Sequence, residues 1–508
     1  MSANLAGLVD GPARRLTDRP AVLDGDRPVF TWAGLAEDVA RRAGGLRAHH
    51  DVRPGDRVAL VARNSAAYLS SLLAVWHAGA VAVPIAARLH AQEVADLLAD
   101  CSAVLCLTDD GLADALAERT GTRLHVLGTR DDDLGRAEPV PVSPRGATDD
   151  AWLFYTSGTT GRAKGARLSH ANLLAMASAY FADVAPVDSQ DALLHVAALS
   201  HASGLFALSF LGRGATQVLP ASGGFEAGEL VDLVGMHRRS TFFVPPVLLR
   251  RLVDSPIVAG LDAERVGTVL VGAAPVRAED LRAGVAAFGP RVWNGYGQGE
   301  TPNTITCMTT AEVAASLDRP DRLTSVGTAR FATRVRVVGE DDRELPPGEA
   351  GEVVVAGPTV MTGYLDRPDA TAEALRGGWL HTGDVGRFDP EGYLTLVDRA
   401  KDVVITGGYN VYPREVEDVL AADPAVADVA VIGVPDEQWG ERVVAVVVPR
   451  DGLPVDPAVL DARCLASIAR HKRPREYVLR AELPRNPAGK VLKTALRDAV
   501  VRTREVAP

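Results

Sequence analysis

The stretch Tyr155-Thr156-Ser157-Gly158-Thr159-Thr160-Gly161-Arg162-Ala163-Lys164-Gly165 gathers hydroxyls, glycines and one lysine directly behind a β-rich run, Trp152 to Tyr155. Glycines let backbone N–H groups approach an anion, hydroxyls donate to its oxygens, and a lysine adds a mobile positive charge. The composition predicts a phosphate-binding loop. It is not the G-x-x-x-x-G-K-[ST] nucleotide loop, because no Gly-Lys-Ser/Thr triplet occurs in it. Other chemistries are excluded by spacing. Gly295, Gly297 and Gly299 alternate, but Pro302 and Asn303 follow where a dinucleotide loop would open an apolar helix. No G-x-S-x-G nucleophile elbow occurs. His195 and His201 lack the H-E-x-x-H spacing of a catalytic zinc site.

Lysine is scarce. Of 54 basic residues only five are lysines: Lys164, Lys401, Lys472, Lys490 and Lys493. A coding bias toward arginine would act wherever either cation serves, so the survivors mark candidate places where an ammonium is needed. The 508 residues carry a net charge of -11, which argues against a general nucleic-acid or anionic-membrane binder. At 47% hydrophobic and 23% charged, the composition is that of a globular protein. The start, Met1 to Leu16, has no apolar h-region, and the four cysteines (Cys101, Cys106, Cys307, Cys464) form no C-x-x-C pair. A reduced, cytoplasmic setting is the expectation. The most apolar segment, Leu69 to Pro84, contains Ser70, Ser71, His77 and Pro84 and predicts a buried helix and strand, with no membrane span.

Elements must position these residues. Strand signals at Arg57 to Ala62, Val81 to Ile85 and Val104 to Leu107 alternate with helix signals, the first helix capped by Asn64 and running through Trp76, the second at Ala91 to Leu98. That order predicts parallel-rich sheets with helices packed on their faces. An Asp-, Pro- and Gly-rich stretch, Gly128 to Asp150, reads as a surface connection before the phosphate loop. Beyond Tyr393 to Val397 and the charged cluster Asp398, Arg399, Lys401, Asp402, a helix pattern at Val411 to Leu420 sits among strands at Val429 to Val434 and Val443 to Val448. The fold class is α/β: a large N-terminal domain over 1–398 and a small α+β C-terminal domain over 399–508, with the boundary at 398–401.

The run YTSGTTGRAKG resembles the signature loop of the adenylate-forming superfamily, which holds acyl-CoA synthetases, peptide-synthetase adenylation domains and firefly-type luciferases. Further matching motifs follow in order: GAAP at Gly272 to Pro275, NGYGQGET at Asn294 to Thr301, TGD at Thr382 to Asp384, DRAKDVVITGGYNVYPREVE at Asp398 to Glu417, and PRNPAGKVLK at Pro484 to Lys493. The resemblance spans essentially the whole chain. It implies ATP, Mg2+ and coenzyme A as partners of the chemistry, a small-molecule carboxylic acid as substrate, and a mobile C-terminal domain. It implies that Thr156, Ser157, Gly158, Thr159, Thr160, Gly161 and Lys164 hold phosphates, with Thr156 and Glu300 at the metal. Gly272, Ala273, Ala274, Asn294, Gly295, Tyr296, Gly297 and Thr301 would line the nucleotide slot. Asp384 would bind the ribose hydroxyls and Arg399 the ribose and phosphate. Lys490 would reach the carboxylate and α-phosphate, and Lys401 would sit at the hinge. Gly407, Gly408 and Tyr409 would pass the pantetheine arm, and His201 would gate an acyl pocket whose wall is formed with Phe242, Phe243, Val244 and Pro245. Lys472 and Arg473 read as a solvated basic patch, with an acceptor phosphate as the alternative, and Lys493 receives no task.

One position departs from the pattern. The family has Thr or Ser before the metal-binding Glu, its hydroxyl on the α-phosphate, and here Gly299 stands there. A water, a backbone N–H or Thr301 would replace that bond, or the α-phosphate is held differently. The expected activity is that of an ATP-dependent carboxylic acid–CoA ligase: acyl-AMP and pyrophosphate form first, then the thioester. A monocarboxylic acid, aliphatic or aromatic, is expected. The alternative is a stand-alone adenylation enzyme that loads an acyl carrier protein or another nucleophile, such as an amine or nitrite. No nucleic-acid partner is expected, and a homodimer is compatible with the family.

Overall fold

The computed structural model describes residues 3–156, 163–399, 402–406, 409–436, 439–485 and 490–505. The chain divides into two compact units, Met1–Val335 with Val355–His381, and Arg336–Val354 with Thr382–Pro508. Among the described residues, the first unit carries a nine-stranded and a seven-stranded sheet. In the seven-stranded sheet, Arg57–Val61, Val81–Pro84, Leu105–Thr108, Arg123–Val126 and Asp150–Thr156 run parallel to one another. Such strands are covered on both faces, which is why RVALV reads as an unbroken apolar run and is almost wholly buried. The antiparallel edge is made by Lys164–Ser169 and Gly363–Tyr364. In the other sheet Arg239–Val244, Val266–Val271 and Val292–Gln298 lie side by side in parallel.

The helix after the first of these strands spans Ala66–His77, and its cap is Ser65, whose hydroxyl accepts from the Tyr68 N–H. Asn64, the expected cap, does something else. Its side chain donates to the carbonyls of His195 and Ala197 at 2.9 and 2.8 Å and accepts from the Leu199 N–H at 2.9 Å. The shorter serine side chain suits the capping geometry, and the longer amide is left to hold the 195–199 loop.

The second unit combines a four-stranded sheet, which includes Leu380–Phe388 and Leu394–Arg399, with a sheet built on the long hairpin Val426–Asp436 and Gly440–Pro449. Along Val426–Asp436, Val429 and Val431 pack with Val416, Leu420 and Leu460. Ala430, Ile432 and Val434 pack with Leu496 and Val500. Both faces are therefore covered, one by the helices Pro413–Ala421 and Pro457–Ser467 and the other by Lys493–Glu505. This is the α+β texture expected for the C-terminal part. Among the described residues no helix is long and apolar enough to cross a membrane.

Candidate active site

The strands Asp150–Thr156 and Lys164–Ser169 pair antiparallel, and the register ends with Thr156 opposite Lys164. The hydroxyl and the ammonium expected to grip phosphate thus stand at the two sides of one hairpin mouth. Ser157, Gly158, Thr159, Thr160 and Gly161 lie outside the described residues. The hairpin is braced from behind: the Tyr155 hydroxyl donates to Asp100 at 2.7 Å, and the Arg367 guanidinium meets the other oxygen of Asp100 at 2.5 Å. Burial first, then neighbouring Cys101 and Asp100, holds the Tyr155 phenol above its ordinary pKa, so it stays a donor.

Glu300 is 8% exposed. Its Oε1 accepts from two hydroxyls, Thr156 at 2.9 Å and Tyr364 at 2.8 Å. The Glu300 carbonyl accepts from the Met361 N–H at 2.8 Å, which ties backbone as well as side chain to the 361–364 segment. The Lys164 ammonium lies 5.2 Å from the centre of the Tyr364 ring. Burial, then the adjacent Glu300 charge, raises the Tyr364 pKa. Among the described residues no hydrogen bond reaches Glu300 Oε2. A carboxylate with one oxygen satisfied, beside a hydroxyl, is the hard oxygen set that Mg2+ takes. The described residues contain no group of three or more His, Cys, Asp or Glu able to hold a metal. Glu300 and Thr156 are the described residues that would hold such a cation.

Gly299 is explained by its neighbours. A Cβ there would lie 2.5 Å from Phe154 Cδ1 and 2.5 Å from the Thr156 methyl, so the Phe154 ring and Thr156 occupy the volume a side chain would need. Thr301 does not offer its hydroxyl as a replacement. It is fully buried and shares hydrogen bonds with Thr304 and Thr359 at 3.2 and 3.0 Å.

The slot residues lie at strand ends. A Cβ on Gly272 would come within 2.8 Å of the Gly295 carbonyl, so these two backbones touch with nothing between them. Ala273 follows with φ +68°, a conformation costly for a residue with a Cβ, and Ala274 is part-exposed. Asn294 Nδ2 donates to the Ser325 carbonyl at 3.3 Å, and Gly295, Tyr296 and Gly297 continue the same strand, with Tyr296 8% exposed.

His201 immediately precedes helix Ala202–Arg213 and makes no side-chain capping bond to it; its Nδ1 lies 2.8 Å from the Ser200 hydroxyl and its ring is edge-on to Phe154 at 5.6 Å between centroids. Burial lowers its pKa, favouring the neutral ring. Phe242 and Val244 are not pocket walls. Both are fully buried in a core cluster with Leu249 and Phe288. The period-two alternation of strand Arg239–Val244 sends Phe243 to the opposite face, where it packs on Phe206 at 5.8 Å and lies 3.7 Å from the Gly272 Cβ position.

In the second unit Asp384 and Arg399 are direct Cα partners across antiparallel strands, and Asp384 is 7% exposed. The turn before Asp384 is tied by Thr382, which donates to the Val353 carbonyl at 2.6 Å and accepts from the Asp384 N–H at 3.1 Å. Lys401, Gly407 and Gly408 lie outside the described residues. Tyr409 opens the strand Tyr409–Val411, paired with Val404–Thr406. Lys490 is half-buried and adjoins an antiparallel bridge between Arg485 and Val491. Lys472 is committed to Glu415, at 2.8 and 2.7 Å from its two oxygens, and Lys493 to Glu417 at 2.7 Å. Lys493 therefore has a task, fastening the last helix to helix Pro413–Ala421.

Tyr364, Asp100, Arg367, Phe154 and Asn64 support the site although no motif marked them. Only Asn64, a polar residue closing a strand, carried a local signal, and it pointed to a cap.

Residues 9–365 match the family model described as AMP-binding enzyme, and residues 415–490 match the AMP-binding enzyme C-terminal domain. A feruloyl-CoA synthase from Amycolatopsis sp. is 39% identical, over 97% of this chain and 98% of its own. The fatty acid–[acyl-carrier-protein] ligase ScoC of Streptomyces coeruleorubidus is 34% identical, over 94% and 93%. The crystal structure of ATP-bound MatB from Rhodopseudomonas palustris superposes with a TM-score of 0.88 at 31% identity, covering 98% of this chain and 99% of that one.

Proposed function

This chain belongs to the AMP-binding enzyme family, and from that premise we propose that it is an ATP-dependent carboxylic acid–CoA ligase. A carboxylate oxygen attacks the α-phosphorus of ATP, the bond to the β-phosphate oxygen breaks, and acyl-AMP and pyrophosphate result. The thiol of coenzyme A then attacks the acyl carbon, AMP leaves, and the thiol proton passes to solvent. One anion must attack another in the first step, so the site has to supply cationic and donor groups already in place. The carrying observation is the convergence of Thr156, Lys164 and Glu300 at one hairpin mouth, in a chain 39% identical over nearly its full length to a feruloyl-CoA synthase.

In this reading Thr156 and Lys164 hold the outer phosphates, with Ser157, Gly158, Thr159, Thr160 and Gly161 completing the loop. Glu300 and Thr156 face Mg2+, which when bound offsets phosphate charge. Gly272 to Ala274 and Asn294 to Gly297 border the adenine, Asp384 and Arg399 the ribose. The neutral ring of His201, edge-on to Phe154, borders the acid. Lys490 brings an ammonium to the α-phosphate and carboxylate in the first step, Gly407, Gly408 and Tyr409 serve the thiol in the second, and Lys401 is the pivot between them.

The test is ATP–pyrophosphate exchange over a panel of aliphatic and aromatic acids, followed by thioester assay with coenzyme A. Acid-dependent exchange and a CoA thioester support the proposal. Exchange without a CoA thioester would move the function to loading a carrier protein, the activity that the name of the relative ScoC describes. No exchange with any acid would overturn both.

A further inference from the structure

Lys164 and Glu300 present opposite charges to the same small region, yet among the described residues no ion pair joins them. An ammonium and a carboxylate that closed on one another would each lose the charge a magnesium nucleotide requires of them. One side chain touches both. Tyr364 offers its ring face to the Lys164 ammonium, 5.2 Å from the ring centre, and its hydroxyl donates to Glu300 at 2.8 Å. We propose that Tyr364 is a positioning residue, a spacer that keeps the loop lysine and the acidic cation ligand apart and aims each of them at the nucleotide.

Three observations make it a fixed spacer. Its backbone lies in the same sheet as Lys164, opposite Ala166, and the following Leu365 N–H donates to the Gly165 carbonyl at 2.9 Å. Its own N–H donates to the Thr371 hydroxyl at 2.9 Å, which in turn donates to the Arg367 carbonyl at 2.8 Å. Arg367, three residues on, is tied through Asp100 to Tyr155 on the other strand of the hairpin. The tyrosine is thus registered against both sides of the loop. With Thr156 and Tyr364 both on Oε1, the carboxylate is turned so that Oε2 is left for a cation. A quadrupole contact suits the lysine, because it holds an ammonium without neutralising it.

The inference rests on the nucleotide-binding reading, and its test separates the two. Nucleotide binding is measured by calorimetry with ATP, with and without Mg2+ and with neither acid nor coenzyme A, in wild type, Tyr364→Phe and Tyr364→Leu. In parallel, Lys164 in ligand-free protein is trace-labelled by reductive methylation and its peptide quantified; with five lysines in the chain the signal is easily assigned. Tyr364→Phe keeps the ring and loses the hydroxyl. It should bind Mg2+-free ATP like wild type while the gain from Mg2+ shrinks about tenfold, the scale seen when a partner orienting a metal ligand is lost. Tyr364→Leu loses both contacts. It should weaken Mg2+-free binding as well and lower Lys164 reactivity severalfold, and adding Glu300→Gln should restore that reactivity. Thermal melts identify any variant that fails to fold, and Tyr364→Met then replaces the leucine.

Wild-type Mg2+ dependence in Tyr364→Phe, or unchanged Lys164 reactivity in Tyr364→Leu, overturns the spacer. If wild type binds no ATP, the nucleotide reading fails, and the labelling arm still decides whether Tyr364 keeps the two charges apart.

Discussion

Two lysine-bearing segments of this molecule are given opposite tasks by the proposed reaction. The hairpin that ends in Thr156 and Lys164 is braced on every side: Tyr155 through Asp100 to Arg367, Thr156 to Glu300, and Lys164 against Tyr364. Lys490 adjoins the Arg485–Val491 bridge, and Leu492 donates to the Pro484 carbonyl at 2.8 Å. Its neighbour Lys493 fastens the helix behind it. The first arrangement suits groups that must already be in place when a triphosphate arrives, since preorganised charge needs no rearrangement at the moment of reaction. The role proposed for Lys490 asks the opposite, a group that arrives for one step and then withdraws. Substitutions around the braced hairpin should therefore disturb structure and chemistry together, and those around the C-terminal segment should separate them.

The largest effect is expected from Glu300→Gln. Acid-dependent pyrophosphate exchange should fall about 10²–10³-fold, the range for removing one preorganised electrostatic group, and the melting temperature should fall with it as the hydroxyl contacts of Thr156 and Tyr364 weaken. Exchange within threefold of wild type would place the cation elsewhere. Asp100→Asn comes next. It weakens the link between Tyr155 and Arg367 at a distance from the chemistry, so exchange should drop about tenfold through misplacement of the loop, accompanied by a lower melting temperature. A melting change with no loss of exchange would show that the brace supports folding alone.

Lys493→Ala should do the reverse of Lys490 substitutions. It breaks a largely buried ion pair, so the second unit should lose about 1 kcal/mol, read by urea unfolding, while exchange stays within twofold. The smallest effect is Ala273→Gly. Relieving a φ of +68° should stabilise the first unit by about 0.5 kcal/mol, most of the strain being offset by the entropy of glycine, and any change in nucleotide affinity should be slight.

Much of this was legible in the sequence for a physical reason. Phosphate loops need glycine, hydroxyl and lysine in a contiguous run, so the hairpin could be read locally, and the alternation of strand and helix signals marked parallel sheets. The opposed pair Asp384 and Arg399 was also marked, each in its own motif. What stayed hidden was set by tertiary geometry. Phe242 and Phe243 are equally apolar, and only strand register decides that Phe242 enters the core and Phe243 the other face. Tyr364 and Asp100 are far from Glu300 and Tyr155 in sequence, so nothing local announces their hydrogen bonds. Gly299 read as a loss, and the Phe154 ring and Thr156 methyl in the vacated space turn it into a packing requirement. Asn64 read as a cap because Ser65, one residue on, has the same chemistry in a shorter side chain.

The contrast between the two segments is tested most directly by measuring the two half-reactions of Lys490→Ala separately. Pyrophosphate exchange should be abolished while thioester formation from preformed acyl-adenylate and coenzyme A stays near the wild-type rate. An equal loss in both half-reactions would contradict the assignment of Lys490 to the first step alone.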